Sequence, residues 1–118
     1  MEYIDAFVAA VPNENKEKYL QHAREAAVIF KEYGALRLVE CWGDDTPVGK
    51  TTSFPLAVQC QPHETVVVSW VAWPSKVVHD EGMEKFLQDP RIVAMCEEGL
   101  PFDGQRLIYG SFQVVLDE

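Results

Sequence analysis

The sequence predicts an α+β fold of the ferredoxin-like type, βαββαβ, in which two main helices cover one face of a four-stranded antiparallel sheet. The first observation behind this prediction is the order of the elements along the chain, which is strand, helix, strand, strand, helix, strand. The second is that the strand segments are apolar on both alternating faces, although only two helical stretches are long enough to cover them. Because two helices cover only one face, the other face needs a partner, most simply a second copy of the chain.

The first half of the chain contains two strands, one helix and a long connection. Residues 3–11 alternate as a strand that Pro12 closes, and Asn13 is a good N-cap for the helix that follows. Gly34 is a typical helix stop. Residues 35–42 form the second strand, and residues 46–64 are a long loop with a short helical turn after Ser53. The apolar positions of the helix recur at helical spacing: Tyr19, Ala23, Ala26, Ala27, Phe30 and Tyr33.

The second half repeats the pattern. Residues 65–73 are almost entirely β-branched and aromatic, which predicts a strand. A helix follows from about Ser75 to Gln88, and Asp89 with Pro90 restarts a helix that runs to residue 97. Residues 105–116 are the last strand. The expected sheet order is 4-1-3-2, with both helices on one face.

Composition limits the classes of function. With 118 residues the chain is long enough for one domain, expected to span residues 1–118. A formal net charge of -9 without a basic cluster argues against nucleic-acid and membrane-surface partners. The N-terminus lacks a signal-peptide pattern and no apolar run is long enough to span a bilayer, so we expect a cytoplasmic protein. Three widely spaced cysteines predict free, mostly buried thiols.

The two faces of the sheet can be assigned provisionally. Small residues suit close helix packing, so the set Ile4, Ala6, Val8 and Ala10 of the first strand is assigned to the helices. The opposite face should then lie against a second copy of the chain, and we expect a homodimer through that face. Its apolar members are Tyr3, Phe7, Val67, Val71, Trp73, Leu107 and Tyr109. The orientation of the second strand stays open, because both of its faces are mixed.

Several short motifs in fixed order resemble the YbaA-like family of small bacterial proteins. They include Asp5-Ala6-Phe7-Val8, Thr52-Ser53-Phe54-Pro55, Asp89-Pro90-Arg91 and Pro101-Phe102-Asp103-Gly104. The resemblance covers essentially the whole chain. It implies membership of the dimeric α+β barrel superfamily, in which two ferredoxin-like sheets pack face to face. The family is a domain of unknown function, so the resemblance implies no activity, cofactor or catalytic residue.

Polar residues among apolar neighbours are the candidate ligand-binding groups. Asp5 is unusual in a strand, and a buried carboxylate must be hydrogen-bonded, ion-paired, protonated or reached by water. Asp5 and Tyr109 are expected on the same side of adjacent strands. These groups suit recognition of a polar small molecule or proton transfer, and equally a hydrogen-bond network that fixes the register of the strands. The candidates are Asp5, His22, Glu40, Ser69, Arg106 and Tyr109.

Other reactive residue types have simpler interpretations. His63 and His79 are expected in a loop and on a helix surface, and Ser53 as a helix cap. No pair of histidines has ligand spacing, so we predict no metal site, and no nucleotide or other cofactor fingerprint is present.

Two classes of function remain. The first is a homodimer that binds a small organic molecule between sheet and helices, with cofactor-independent oxygenase or isomerase chemistry as an enzymatic version. The second is a non-catalytic interaction protein whose interior is filled by its own side chains. A pocket of roughly 300 Å³ or more that includes Asp5, Glu40 or Tyr109 would favour the first class.

Overall fold

The computed structural model describes residues 1–118 and confirms the predicted order of elements. Short 3-10 turns at Asn13–Asn15 and Gly104–Arg106 precede the first long helix and the last strand. The last strand is shorter than predicted at both ends, whereas the helix that restarts at Pro90 is present as predicted. The elements are β1 (Tyr3–Pro12), α1 (Lys16–Glu32), β2 (Arg37–Trp42), α2 (Phe54–Ala57), β3 (Glu64–Trp73), α3 (Lys76–Gln88), α4 (Pro90–Glu98) and β4 (Ile108–Gln113).

The four strands form one antiparallel sheet in the order β2-β3-β1-β4, which is the predicted order. In this register Phe7 lies opposite Ser69 on one side and opposite Tyr109 on the other. Glu40 of β2 lies opposite Ser69 as well. Asp5 and Tyr109 are therefore on the same side of adjacent strands, as predicted, because both share the parity of Phe7.

Local capping sets most of the helix ends. The Ser53 Oγ accepts a hydrogen bond from the Leu56 backbone N–H at 3.0 Å, which confirms the predicted cap of α2. Asp89 caps α4 and is followed by proline at the first helical position. Asn13 is not the N-cap of α1, because its side chain is hydrogen-bonded to Thr65 of β3 and the helix begins only at Lys16.

The face of the sheet that packs on the helices is the opposite of the predicted one. Phe7, Val71 and Trp73 pack against Ala26 and Phe30 of α1, and Phe86 of α3 joins this cluster. The prediction that Phe7, Val67, Val71 and Leu107 form an interface is therefore wrong, since all four side chains lie toward the helices. The physical reason is that the small residues needed for close packing are on α1, which leaves room for large side chains on the strands.

The face turned away from α1 and α3 carries small and β-branched side chains. Near one end of this face, Val58, which follows α2, packs with Ala10 and Val66. The exposed apolar side chains of this face are on β4, where Ile108 is 42% and Phe112 55% exposed. Other apolar members of this face are Ile4, Ala6, Val8, Val39, Val68, Trp70 and Ala72.

The cysteines are free, but the expectation that they are mostly buried is wrong. Cys41 and Cys96 are exposed, and Cys60 is half-buried. Cys41 lies on an edge strand, and Cys96 on the outer side of α4.

None of the helices combines the length and apolar character that crossing a bilayer requires.

Gly82 of α3 gives a test of how closely the helix approaches the core. A Cβ atom there would lie 2.6 Å from the Tyr33 carbonyl oxygen and would also overlap the indole of Trp73, which is fully buried. We expect Gly82→Ala to lower the free energy of unfolding by about 2 kcal/mol or more, because overpacking outweighs the gain in helix propensity. Urea denaturation measures the change. Gly104→Ala, where a Cβ meets only ordinary contact distances, is the matched control, and equal stabilities of the two variants would contradict this packing.

Candidate functional site

A cavity of about 180 Å³ lies between α1 and the sheet, with α3 and the segment before β4 completing its walls. It is largely apolar. Eleven of its 14 lining residues are hydrophobic, and Phe86 stacks on Phe30 with ring centroids 3.8 Å apart at one wall. The lining residues are Phe7, Ala9, Tyr19, His22, Ala23, Ala26, Phe30, Leu38, Glu40, Ser69, Val71, Phe86, Phe102 and Leu107.

The polar corner of the cavity is formed by Glu40, Tyr19 and Ser69. The Tyr19 hydroxyl donates a hydrogen bond of 2.6 Å to Glu40 Oε1. Burial raises the pKa of the Glu40 carboxyl, and the hydrogen bonds from Tyr19 and Ser69 oppose this change. Burial also raises the pKa of the Tyr19 phenol, with the charge of Glu40 adding to the effect. The corner therefore holds a carboxylate that takes up a proton more readily than a solvated one.

His22 lies at the edge of the same cavity. It follows Tyr19 by three positions on α1, so it sits beside the apolar stripe and is half-buried. Burial lowers the pKa of its imidazole, against the opposing charge of Glu25. Burial therefore favours the neutral imidazole, which has one nitrogen that donates and one that accepts.

Asp5 belongs to a separate network and does not line the cavity. Its fully buried carboxylate accepts hydrogen bonds from Trp73 Nε1 at 3.1 Å and from Ser111 Oγ at 2.6 Å, and it pairs with His79 Nε2 at 2.9 Å. The other ring nitrogen of His79 lies 2.8 Å from Asp80. The expectation that His79 is a helix-surface residue is wrong, since its side chain is only 11% exposed. These contacts join β1, β3, β4 and α3.

Arg106 and Tyr109 are also outside the cavity. Arg106 is held by Glu64 at 2.7 Å and Asp103 at 3.0 Å, and the Arg106 guanidinium lowers the pKa of Glu64 to about 2. Tyr109 stacks on Phe7 with ring centroids 5.6 Å apart but is 61% exposed. Of the six predicted residues, the cavity thus brings together His22, Glu40 and Ser69.

These networks also contain residues that were not among the six, and Tyr19 and His79 are two of them. Tyr19 was predicted only as part of the apolar stripe, although a tyrosine facing a buried acid is a natural hydrogen-bond donor. His79 follows the inward-facing Val78 and precedes Gly82 and Phe86 at helical spacing, which is the signal for a buried position. No group of three or more His, Cys, Asp or Glu side chains is arranged to hold a metal ion.

Residues 2–104 match the family described as "Protein of unknown function (DUF1428)". The chain belongs to the DUF1428 family. It is 49% identical to proteins named "Uncharacterized protein YbaA" from Escherichia coli K12, Escherichia coli O157:H7 and Shigella flexneri, each aligned over 118 residues that cover both chains completely. The predicted family resemblance is therefore confirmed.

Solved structures with little sequence identity share the fold of this DUF1428 member. A variant of SnoaB, a cofactor-independent oxygenase from Streptomyces nogalater, superposes with a TM-score of 0.63 at 15% identity, covering 98% of this chain and 95% of that one. An uncharacterized NIPSNAP domain protein from Burkholderia xenovorans gives 0.60 at 17% identity, with 96% and 94% covered. The fold is thus the ferredoxin-like α+β fold that the sequence predicted.

The burial of Glu40 predicts a pH-dependent effect of Glu40→Gln. The folded protein binds a proton at Glu40 more tightly than the unfolded chain does. The contribution of Glu40 to the free energy of unfolding is complete below the pKa of about 4.3 that glutamate has in the unfolded chain. It is lost as the pH rises through the higher pKa that Glu40 has in the folded protein. Because glutamine does not titrate, the variant should gain stability relative to the wild type between pH 4 and pH 8, by about 1.4 kcal/mol per unit of pKa shift. Urea denaturation at pH 4 and pH 8 measures the free energy of unfolding of both proteins. If the value for the variant minus that for the wild type stays constant or falls as the pH rises, the burial of Glu40 is contradicted.

Proposed function

We propose that this DUF1428 protein binds a small, mainly apolar organic molecule in the cavity between α1 and the sheet. The observation that supports the proposal is a largely apolar enclosure whose polar groups converge at Glu40, Tyr19 and Ser69. Ligand pockets commonly combine an apolar lining with a few convergent polar groups that orient the ligand.

The volume of the cavity limits the size of the ligand. At about 180 Å³ it is below the roughly 300 Å³ at which drug-sized ligands are usually held, although Glu40 is in its lining as the first class of function requires. An apolar cavity of about 150 Å³ is sufficient to hold benzene. A compound with a single ring is therefore the ligand that suits the space.

The charge of the polar corner limits the chemistry of the ligand. A buried carboxylate accepts hydrogen bonds and repels anions, and the net charge of -9 adds to the repulsion. The Tyr19 hydroxyl already donates its hydrogen bond to Glu40. A neutral ligand that donates a hydrogen bond, such as a phenol or an alcohol, therefore suits Glu40.

Enzymatic versions of this proposal would use the same group. Removal of a proton from a bound molecule by Glu40 is the chemistry that such a site could support, whether in an isomerase or in a cofactor-independent oxygenase. Binding is the step that all of these share, so the proposal is restricted to binding. The alternative of an interaction protein with a filled interior predicts no uptake of any small molecule.

Binding of 4-fluorophenol, followed by ¹⁹F NMR, tests the proposal. We expect 4-fluorophenol to bind more tightly than 4-fluorotoluene, which fills similar space without a donor. The preference should fall by about fivefold or more in Glu40→Gln, because a hydrogen bond to a charged acceptor is stronger by about 1 kcal/mol than one to a neutral acceptor.

Two variants in which an alanine is replaced by leucine show whether the probe occupies the cavity. Ala23→Leu adds side-chain volume to the cavity wall and should abolish binding, whereas Ala94→Leu, at an exposed position on α4, should not. Retention of binding by Ala23→Leu, or absence of binding by the wild-type protein, would contradict the proposal.

We also propose that the protein is a homodimer that associates through the sheet face turned away from α1 and α3. Support comes from the exposure of Ile108 and Phe112 on this face, beside the half-buried Trp70, and from the superfamily that the family resemblance implies, in which two such sheets pack face to face. The same face on both copies gives a self-complementary contact about a twofold axis. A cytoplasmic location is part of this proposal, because free cysteines suit a reducing compartment.

Trp70→Glu tests this arrangement. In the wild type, light scattering at micromolar concentration should give twice the chain mass of 13.4 kDa. Trp70→Glu should give a monomer or an unfolded product, since a charge would be buried in the contact. Leu87→Glu on the exposed side of α3 should remain dimeric. A wild-type monomer at this concentration would rule the dimer out.

A further inference from the structure

His22 lines both the cavity and an open groove on the protein surface. The groove has a volume of about 330 Å³ and is bounded by the first turns of α1 and by the segment that follows α4. His22 is the residue that the linings of the cavity and the groove share. The remaining residues of the groove are Asn15, Lys18, Glu98, Gly99, Leu100 and Pro101.

The groove is polar, in contrast to the cavity. Lys18 and Glu98 bring opposite charges, so the groove is close to neutral overall. Asn15 donates a side-chain hydrogen bond of 3.1 Å to the Pro101 carbonyl oxygen, which ties the segment after α4 to the start of α1. The groove therefore has fixed walls and suits an uncharged polar group better than an ion.

We propose that the cavity and the groove bind one ligand together, a single-ring compound with a short uncharged polar substituent that passes His22. This inference rests on the proposed function, because the ring occupies the cavity described above. A ring with a donor at Glu40 uses most of the 180 Å³, so a further substituent must leave the cavity. His22 is where the cavity meets the groove, which makes it the residue that determines specificity for the substituent.

The imidazole of His22 suits a hydroxyl or amide group at this position. As a neutral ring it offers one donor and one acceptor, and a hydroxyl group complements either. The partly buried hydrogen bond should contribute about 0.5–1.5 kcal/mol, which corresponds to roughly a 2- to 12-fold gain in affinity.

Two fluorinated probes test the inference. The ring-only probe is 2-fluorophenol, and the extended probe is 2-fluoro-4-(2-hydroxyethyl)phenol, which differs from it only by a hydroxyethyl group opposite the phenol hydroxyl. In the wild type, ¹⁹F NMR titration should show that the extended probe binds about 2- to 12-fold more tightly. His22→Phe, which keeps a ring but removes both nitrogens, should bring the ratio of the two affinities close to one.

A control variant and the possible outcomes distinguish failure of this inference from failure of the proposed function. His63→Phe, at an exposed loop position, should leave the ratio as in the wild type. An extended probe that binds no more tightly than 2-fluorophenol, or a ratio that His22→Phe does not change, would overturn this inference while the proposed function stands. Failure of both probes to bind the wild type would overturn the proposed function itself.

Discussion

Close packing of α1 on the sheet is the constraint on which the rest of the structure depends. The helix presents alanine at positions 23 and 26, so its backbone approaches the sheet and leaves room for Phe7 and Trp73 from the strands. Small side chains on one element packed against large side chains on the other commonly fill a core without strain. The filling is incomplete beside Ala23, and the space that remains is the cavity. The candidate site is thus a consequence of how one helix packs, and its walls are core residues.

Two acids on this side of the sheet, the buried Asp5 and the half-buried Glu40, show how differently carboxylates are accommodated. Asp5 is surrounded by partners, with the Trp73 indole, the Ser111 hydroxyl and the His79 ring all within hydrogen-bond distance. Hydrogen bonds to a charged group contribute about 1.5–3 kcal/mol each, so three of them offset a desolvation cost of several kcal/mol. Asp5 therefore has a structural role, because it holds neighbouring strands and α3 in register.

Glu40 is satisfied less completely and faces an apolar space. Tyr19 occupies Oε1, and Ser69 adds a weaker contribution, while burial still raises the pKa of the carboxyl. A group with acceptor capacity beside an apolar cavity has the properties of a recognition site.

Ionic contacts at the periphery keep the surrounding segments fixed. Arg106 links Glu64 to the turn before β4, and Arg91 links Asp89 to Glu32 at the end of α1.

The sequence by itself determined the order of the elements and most of the helix ends, because these depend on local periodicity and on caps such as Ser53 and Asp89. The strand order followed from that element order, because a βαββαβ chain typically folds with the ferredoxin-like topology. It also indicated Glu40, His22 and Ser69 as candidates, since polar groups next to apolar neighbours are visible in one dimension. Only the tertiary structure decided which sheet face meets the helices, because both faces of β1 and β3 are apolar and alternation alone cannot distinguish them. The same packing decided that Asp5 pairs with His79 across 74 positions and that Tyr19 reaches Glu40. Contacts between distant segments depend on side-chain volumes on both partners, and no local pattern contains that information.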